Sequence, residues 1–105
     1  MYFSVGNNTA GEPSWWLYGN NHKMVAWAGE TFHSQGNANR AASDFKAAAS
    51  SARYEIYKDA GGNWRWRAWR SSDKVAASGE SFYDRDNAET AAANVRDNAG
   101  SAAGP

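Results

Sequence analysis

The sequence predicts an α+β fold made of two consecutive βββα units that complete one core between them. Three observations carry this reading: an internal repeat, a change of hydrophobic period inside each copy, and a composition that pairs large rings with alanine. Sliding the chain against itself by 50 positions matches Trp16 with Trp66, Val25 with Val75, Gly29 with Gly79, Glu30 with Glu80, Phe32 with Phe82 and Asn37 with Asn87. Alanine meets alanine at five more places, giving 11 identities over residues 14–49. Upstream, Phe3-Ser4-Val5 matches Tyr54-Glu55-Ile56 at an offset of 51, so the first copy is assigned one extra residue, in its opening turn. The copies span about 2–50 and 53–99 with no linker, and two units of this length are expected to form one domain, not two.

In the second copy, residues 53–58 carry the β-branched and aromatic enrichment of a strand. Asp59-Ala60-Gly61-Gly62-Asn63 is a turn, residues 64–70 a return strand, Ser71-Ser72-Asp73 a second turn and residues 74–78 a third strand. The first copy repeats this at 2–6, 14–19 and 23–28. The period then lengthens. Ala88, Ala91, Ala92, Val95 and Ala99 form one helical stripe, as do Ala38, Ala41, Ala42, Phe45 and Ala49. Ser34 and Asp84 stand at helix N-cap positions, Gly100 is a plausible stop, and residues 101–105 are expected to form a flexible tail.

Composition explains how such a chain fills a core. Of 105 residues 42% are hydrophobic, but 21 of these are Ala, and the aliphatics reduce to four Val, one Ile, one Leu and two Met. Six Trp, five Tyr and four Phe must supply the buried surface, at roughly 150 to 250 Å² per ring. Alanine-lined helices then approach the sheet closely and leave room for those rings. Lys and Arg together balance Asp and Glu, 11 against 11, so no global field draws the chain to nucleic acid or an acidic membrane. The absence of Cys excludes disulfides and thiolate chemistry and suits a reducing compartment. Apolar runs are far shorter than the ~20 residues of a membrane span, and no charged-then-apolar leader opens the chain. The expectation is a soluble cytoplasmic protein that binds no membrane.

The run Tyr-Glu-Ile-Tyr-Lys-Asp at 54–59, Trp-Arg-Trp-Arg at 64–67 and Ser-Gly-Glu-Ser-Phe at 78–82, ahead of an Ala-rich helix, resembles the YegP-like family of small bacterial and archaeal proteins. The match is good over 53–99 and holds at repeat level over 2–49, where Trp15-Trp16-Leu17-Tyr18 replaces the alternating Trp/Arg strand. The resemblance implies tandem units, or two subunits, joined into one antiparallel sheet with the helices packed on it. It implies no activity.

Strand alternation puts Trp64, Trp66 and Ala68 on one face and Arg65, Arg67 and Trp69 on the other. The first face is expected to be core, joined by Trp16, Tyr18, Phe3, Val5, Tyr54 and Ile56. With both helices on that face and the halves related by a pseudo-two-fold, the opposite face would carry Arg65, Arg67, Trp69, Tyr57, Trp15 and Leu17. Rings and guanidinium groups there could meet a protein partner or a second copy, or stack the bases of a single-stranded nucleic acid; equally, the Arg stems could simply cover the rings. No catalytic set assembles. Glu30 and Glu80 follow a Gly at a strand end, where a carboxylate serves structure by accepting backbone N–H groups or pairing with Arg. His22 and His33 lack any ligand partner at helical spacing, His22 reading as a turn residue, and there is neither a Gly-x-Ser-x-Gly elbow nor a phosphate loop. The reading is therefore a non-catalytic interaction or self-association module, with single-stranded nucleic-acid binding through strand 64–70 as the alternative and no cofactor or metal.

Overall fold

The computed structural model describes residues 1–105. Six strands form one antiparallel sheet: β1 (Tyr2–Asn7), β2 (Pro13–Tyr18), β3 (Met24–Trp27), β4 (Arg53–Lys58), β5 (Trp64–Arg70) and β6 (Asp73–Ser78), in the order β1-β2-β3-β6-β5-β4. The third strands of the two copies meet at the centre, Ala26 opposite Ser78 and Trp27 opposite Ala77. Helices α1 (Gln35–Ala48) and α2 (Arg85–Asn98) follow their three strands, and a 3-10 turn spans Ala99–Ser101. Both caps act as their residue types demand. The Ser34 hydroxyl accepts from the Asn37 amide at 3.1 Å, and the Asp84 carboxylate from the Asn87 amide at 2.7 Å. Neither helix, at 14 residues, is long or apolar enough to cross a membrane.

The helices lie on one face and bury their alanine stripes there. Ala38, Ala42, Phe45 and Ala49 from the first copy and Ala88, Ala92, Val95 and Ala99 from the second are all buried. Beneath them sit Phe3, Trp15 and Leu17 on one half of the sheet and Trp66 and Ala68 on the other. Trp15 stacks on Phe45 with centroids 5.3 Å apart and meets Phe3 edge-on at 5.5 Å; Trp66 packs against Tyr54 at 5.6 Å. Tyr54 donates its hydroxyl to the Ala49 carbonyl at 2.8 Å, and burial, partly offset by the nearby Arg96, pushes that hydroxyl up to about 12.

The first-copy core differs from the sequence expectation. Trp15 and Leu17 are fully buried under α1, whereas Trp16 and Tyr18 lie on the opposite face. The cause is the position of the extra residue. The opening turns have equal length and the same construction: the Asn8 side chain accepts from the amides of Ala10 and Glu12, and Asp59 does the same for Gly61 and Asn63, all at 2.9 Å. Gly11 and Gly62 take positive φ at matching places, +81° and +85°. The extra residue lies instead between the second and third strands, where five residues separate Tyr18 from Met24 but only four separate Trp69 from Lys74. The offset therefore stays at 51 through β2, Trp15 is the counterpart of Trp66, and the Trp16–Trp66 identity is a coincidence of register. A one-residue slip exchanges the faces of a strand.

The terminal residues also depart from expectation. Rather than hanging free, 102–104 run beside the outer edge of β1: the Phe3 amide donates to the Ala103 carbonyl at 2.8 Å, Ala103 donates to Met1, and Ala102 is buried. Lys46 of α1 donates to the Gly104 carbonyl at 2.8 Å. The outer edge of β4, its counterpart, carries no such cover.

Where β6 leaves the sheet, Gly79 crosses the main chain of β3. A Cβ there would lie 2.6 Å from the Met24 carbonyl oxygen and 3.0 Å from its carbon. Gly79→Ala should therefore cost about 1 to 3 kcal/mol, because the obstacle is backbone that cannot rotate away. A denaturant midpoint within experimental error of the parent would show that the central strands separate freely.

Candidate functional site

The face away from the helices is covered by no other element, and one row of residues crosses all six of its strands. In register these are Ser4, Trp16, Trp27, Ala77, Arg67 and Glu55. The pseudo-two-fold passes between Trp27 and Ala77, so Trp16 is the counterpart of Arg67 and Ser4 of Glu55. The first copy thus presents rings, and the second guanidinium groups. Beside Trp16, Tyr2 stacks on Tyr18 with centroids 5.2 Å apart and planes inclined by 23°. The Tyr2 hydroxyl lies 3.1 Å from Nδ1 of His22, which occupies the left-handed region of the β2–β3 turn at φ +62°.

On the other half, Glu55 is the hub. Its Oε1 accepts from Nε of Arg67 and, at 3.0 Å, from the indole N–H of Trp69; the Arg67 contact measures 2.6 Å. The Arg67 guanidinium lies 4.3 Å from the Tyr57 ring centroid and 5.5 Å from that of Trp69, which Arg53 covers from 5.8 Å. Arg65 donates to Asp59 at 2.9 Å. Three guanidinium groups are thus matched by two carboxylates.

Of the residues expected on this face, Arg65, Arg67, Trp69 and Tyr57 are there. Trp15 is not, being fully buried in the core, and Leu17 accompanies it. Trp16, Tyr18, Trp27 and Tyr2 take that half of the face instead; the matching Asn8/Gly11 and Asp59/Gly62 turns were the signal in the sequence that could have placed Trp16 and Tyr18. The carboxylates of Glu30 and Glu80 are exposed and make neither hydrogen bond nor ion pair; it is the Glu30 carbonyl that accepts from the Ser14 hydroxyl, at 2.8 Å. No three His, Asp or Glu side chains come close enough together to hold a metal ion.

The arginines act on their carboxylates. The Arg67 hydrogen bond, followed by that from Trp69, holds the Glu55 carboxyl below its ordinary range, and Arg65 with the Asn63 amide does the same for Asp59. A carboxyl lowered by folding adds stability above its unfolded pKa of about 4.3 and loses it as pH falls through the lower folded value. The pair is thus intact at neutrality and opens only in acid. The Trp69 indole N–H resonance should follow Glu55, moving with a midpoint below about 4.3. A midpoint at or above that value would mean that the hub does not persist in solution.

Two solved structures share this architecture. The yegP protein of E. coli, described as of unknown function, superposes with a TM-score of 0.81 at 16% identity, over 97% of this chain and 88% of its own. The fold is that of the YegP-like proteins. A UPF0339 protein of Shewanella oneidensis agrees, with a TM-score of 0.78 at 10% identity, over 94% of this chain and 84% of that one. No protein-family model matches the sequence, and no curated protein matches it. The YegP-like likeness therefore bears on the fold, in keeping with the motifs at 54–59, 64–67 and 78–82, and it attaches no activity to the sheet face.

Proposed function

We propose that this chain is a non-catalytic association module that pairs with a second copy of itself through the uncovered sheet face. The observation that carries the reading is the row Ser4, Trp16, Trp27, Ala77, Arg67, Glu55, whose two halves complement each other. Turn one copy over about an axis lying in the interface, parallel to the strands and midway between β3 and β6. Each Trp27 then faces Ala77 of the second copy, a large ring over a small residue. Each Trp16 faces Arg67, a ring over a cation, and each Ser4 faces Glu55, a hydroxyl over an acceptor. Such an interface is isologous and closes at two copies. Central aromatic anchors with Arg and Tyr beside them are the composition of energetic hot spots. A phosphate backbone is the poorer match, because Arg65 and Arg67 already hold Asp59 and Glu55.

Sedimentation equilibrium from micromolar to millimolar concentration should show a monomer–dimer equilibrium. Trp27→Ala should weaken dimerisation by about 30-fold, the effect of losing a central anchor worth about 2 kcal/mol. Changing Arg65 and Arg67 together to Gln should weaken it less and leave stability within about 0.5 kcal/mol. A wild type that stays monomeric throughout removes the proposal. So does tight binding of single-stranded oligonucleotides whose salt dependence flattens in the double Arg variant, since the face would then serve nucleic acid.

A further inference from the structure

On the helix side, where α1 meets the β5–β6 turn of the other copy, lies a cleft of about 440 Å³. Phe32, Phe45 and Val75 supply its large apolar surfaces, and Asp44, Arg70 and Lys74 are among its charged side chains, with Glu30 and Asp73 completing the set. All five charged groups lack an ion-pair partner, and none of their side chains makes a hydrogen bond within the chain, whereas Arg65, Arg67, Asp59 and Glu55 of the sheet-face network all do. The Lys74 side chain passes close over Gly29: its Cε lies 3.0 Å from where a Cβ of that residue would stand, and Gly29 has φ +79°.

The repeat supplies an internal control. Were these charges part of the general construction of the fold, they would recur beside α2. Only Glu30 does, as Glu80. The counterparts of Asp44, Arg70, Asp73 and Lys74 are Asn94, Gly19, Lys23 and Met24, and Phe45 is replaced by Val95. The corresponding depression has about half the volume, 210 Å³, and is lined by Gly19, Asn20, Asn94, Asn98, Ser101 and Met1, the last its single hydrophobic residue. One of two equivalent positions has thus acquired both an apolar floor and unpaired charges of both signs.

We infer that this cleft binds a small zwitterion with an apolar body, of the class of an aromatic or large aliphatic α-amino acid. Arg70 and Lys74 take the carboxylate, Asp44 with Glu30 takes the ammonium group, and Phe32, Phe45 and Val75 take the side chain. The volume falls within the range of small-molecule sites, near its lower end. Carboxylate recognition by a guanidinium group and ammonium recognition by carboxylates are both charge-assisted, which favours a ligand bearing both charges over one bearing either. The site is separate from the sheet face and does not depend on self-association.

The test is titration of the full chain with L-phenylalanine, followed through backbone amide resonances. Shifts should concentrate at residues 28–32, 41–48 and 70–75. L-Phenylalaninamide, which lacks the carboxylate, and N-acetyl-L-phenylalanine, which lacks the ammonium group, should each bind at least about tenfold more weakly. So should glycine, which lacks the body. Asp44→Asn and Lys74→Met, which install the second-copy residues, should each weaken phenylalanine by a similar factor while leaving the melting temperature unchanged. The inference is overturned if millimolar phenylalanine shifts none of these resonances, if the blocked derivatives bind as well as the amino acid, or if both variants bind like the parent. Should either variant melt earlier, Arg70→Gly, at the exposed end of β5, replaces it in the same comparison.

Discussion

Cutting the chain between Ser51 and Arg53 should leave both halves largely unfolded until they are mixed. Each half would keep three strands and a helix, but that inventory understates what is lost. Residues 102–104 of the second half cover the edge of β1 in the first, and Ala102 is buried there. Helix α1 packs against β6, α2 against β3, and Ala26 and Ala76 belong to one continuous buried cluster. A half chain would have to offset roughly 1 to 2 kcal/mol of backbone entropy per residue with only part of its apolar neighbours. Circular dichroism of the separate and mixed halves gives the answer. A fragment 53–105 that is monomeric and melts cooperatively would falsify this view of the repeat.

Trp15→Ala and Trp66→Ala should each cost about 3 to 5 kcal/mol, against about 5 to 15 kcal/mol for a whole small domain. Both rings are completely buried, and they occupy equivalent places under the two helices. Their chemistry adds a second expectation. Neither indole N–H has a hydrogen-bond partner, and burying an unpartnered donor costs about 1 to 3 kcal/mol. Trp15→Phe and Trp66→Phe should therefore cost clearly less than their Ala counterparts, because the lost ring area is partly offset by removal of the stranded donor. Trp16→Ala, on the open face, should cost less than either. Equal losses for Trp15→Ala and Trp16→Ala in chemical denaturation would place both rings in the core and undo the register.

What the sequence disclosed was whatever is decided locally. The helices follow from alanine spacing and from Ser34 and Asp84; the second-copy strands follow from Trp-Arg-Trp-Arg, where alternation is written in the residue types and each face can be read directly. Trp15-Trp16-Leu17-Tyr18 has no such contrast. Four apolar side chains in succession suit either face, so only register decides, and register is set by turn lengths. The apparent Trp16–Trp66 identity pulled it one residue out of place. That slip sent Trp15 to the surface and hid Trp16, and with it half of the candidate site. The C-terminal residues failed for another reason: Ser, Ala, Ala, Gly and Pro carry no hydrophobic signal, and their placement depends on an edge strand a hundred positions earlier. The cleft beside α1 was invisible because its charged residues come from segments far apart in the chain.

The two outer strands bear on how such molecules behave when crowded. An open six-stranded sheet could in principle extend itself indefinitely, each copy adding its edge to the next. At β1 this is obstructed by residues 102–104 of the same chain. At β4 the obstruction is in the side chains: pairing two β4 strands antiparallel about the midpoint between Glu55 and Ile56 would set Arg53 against Lys58 at both ends of the match, and like charges directly opposite each other are unfavourable. Growth along the sheet is therefore blocked at one end by chain and discouraged at the other by charge. Concentrated solutions should contain discrete particles in preference to ribbons, and association is left to the broad faces.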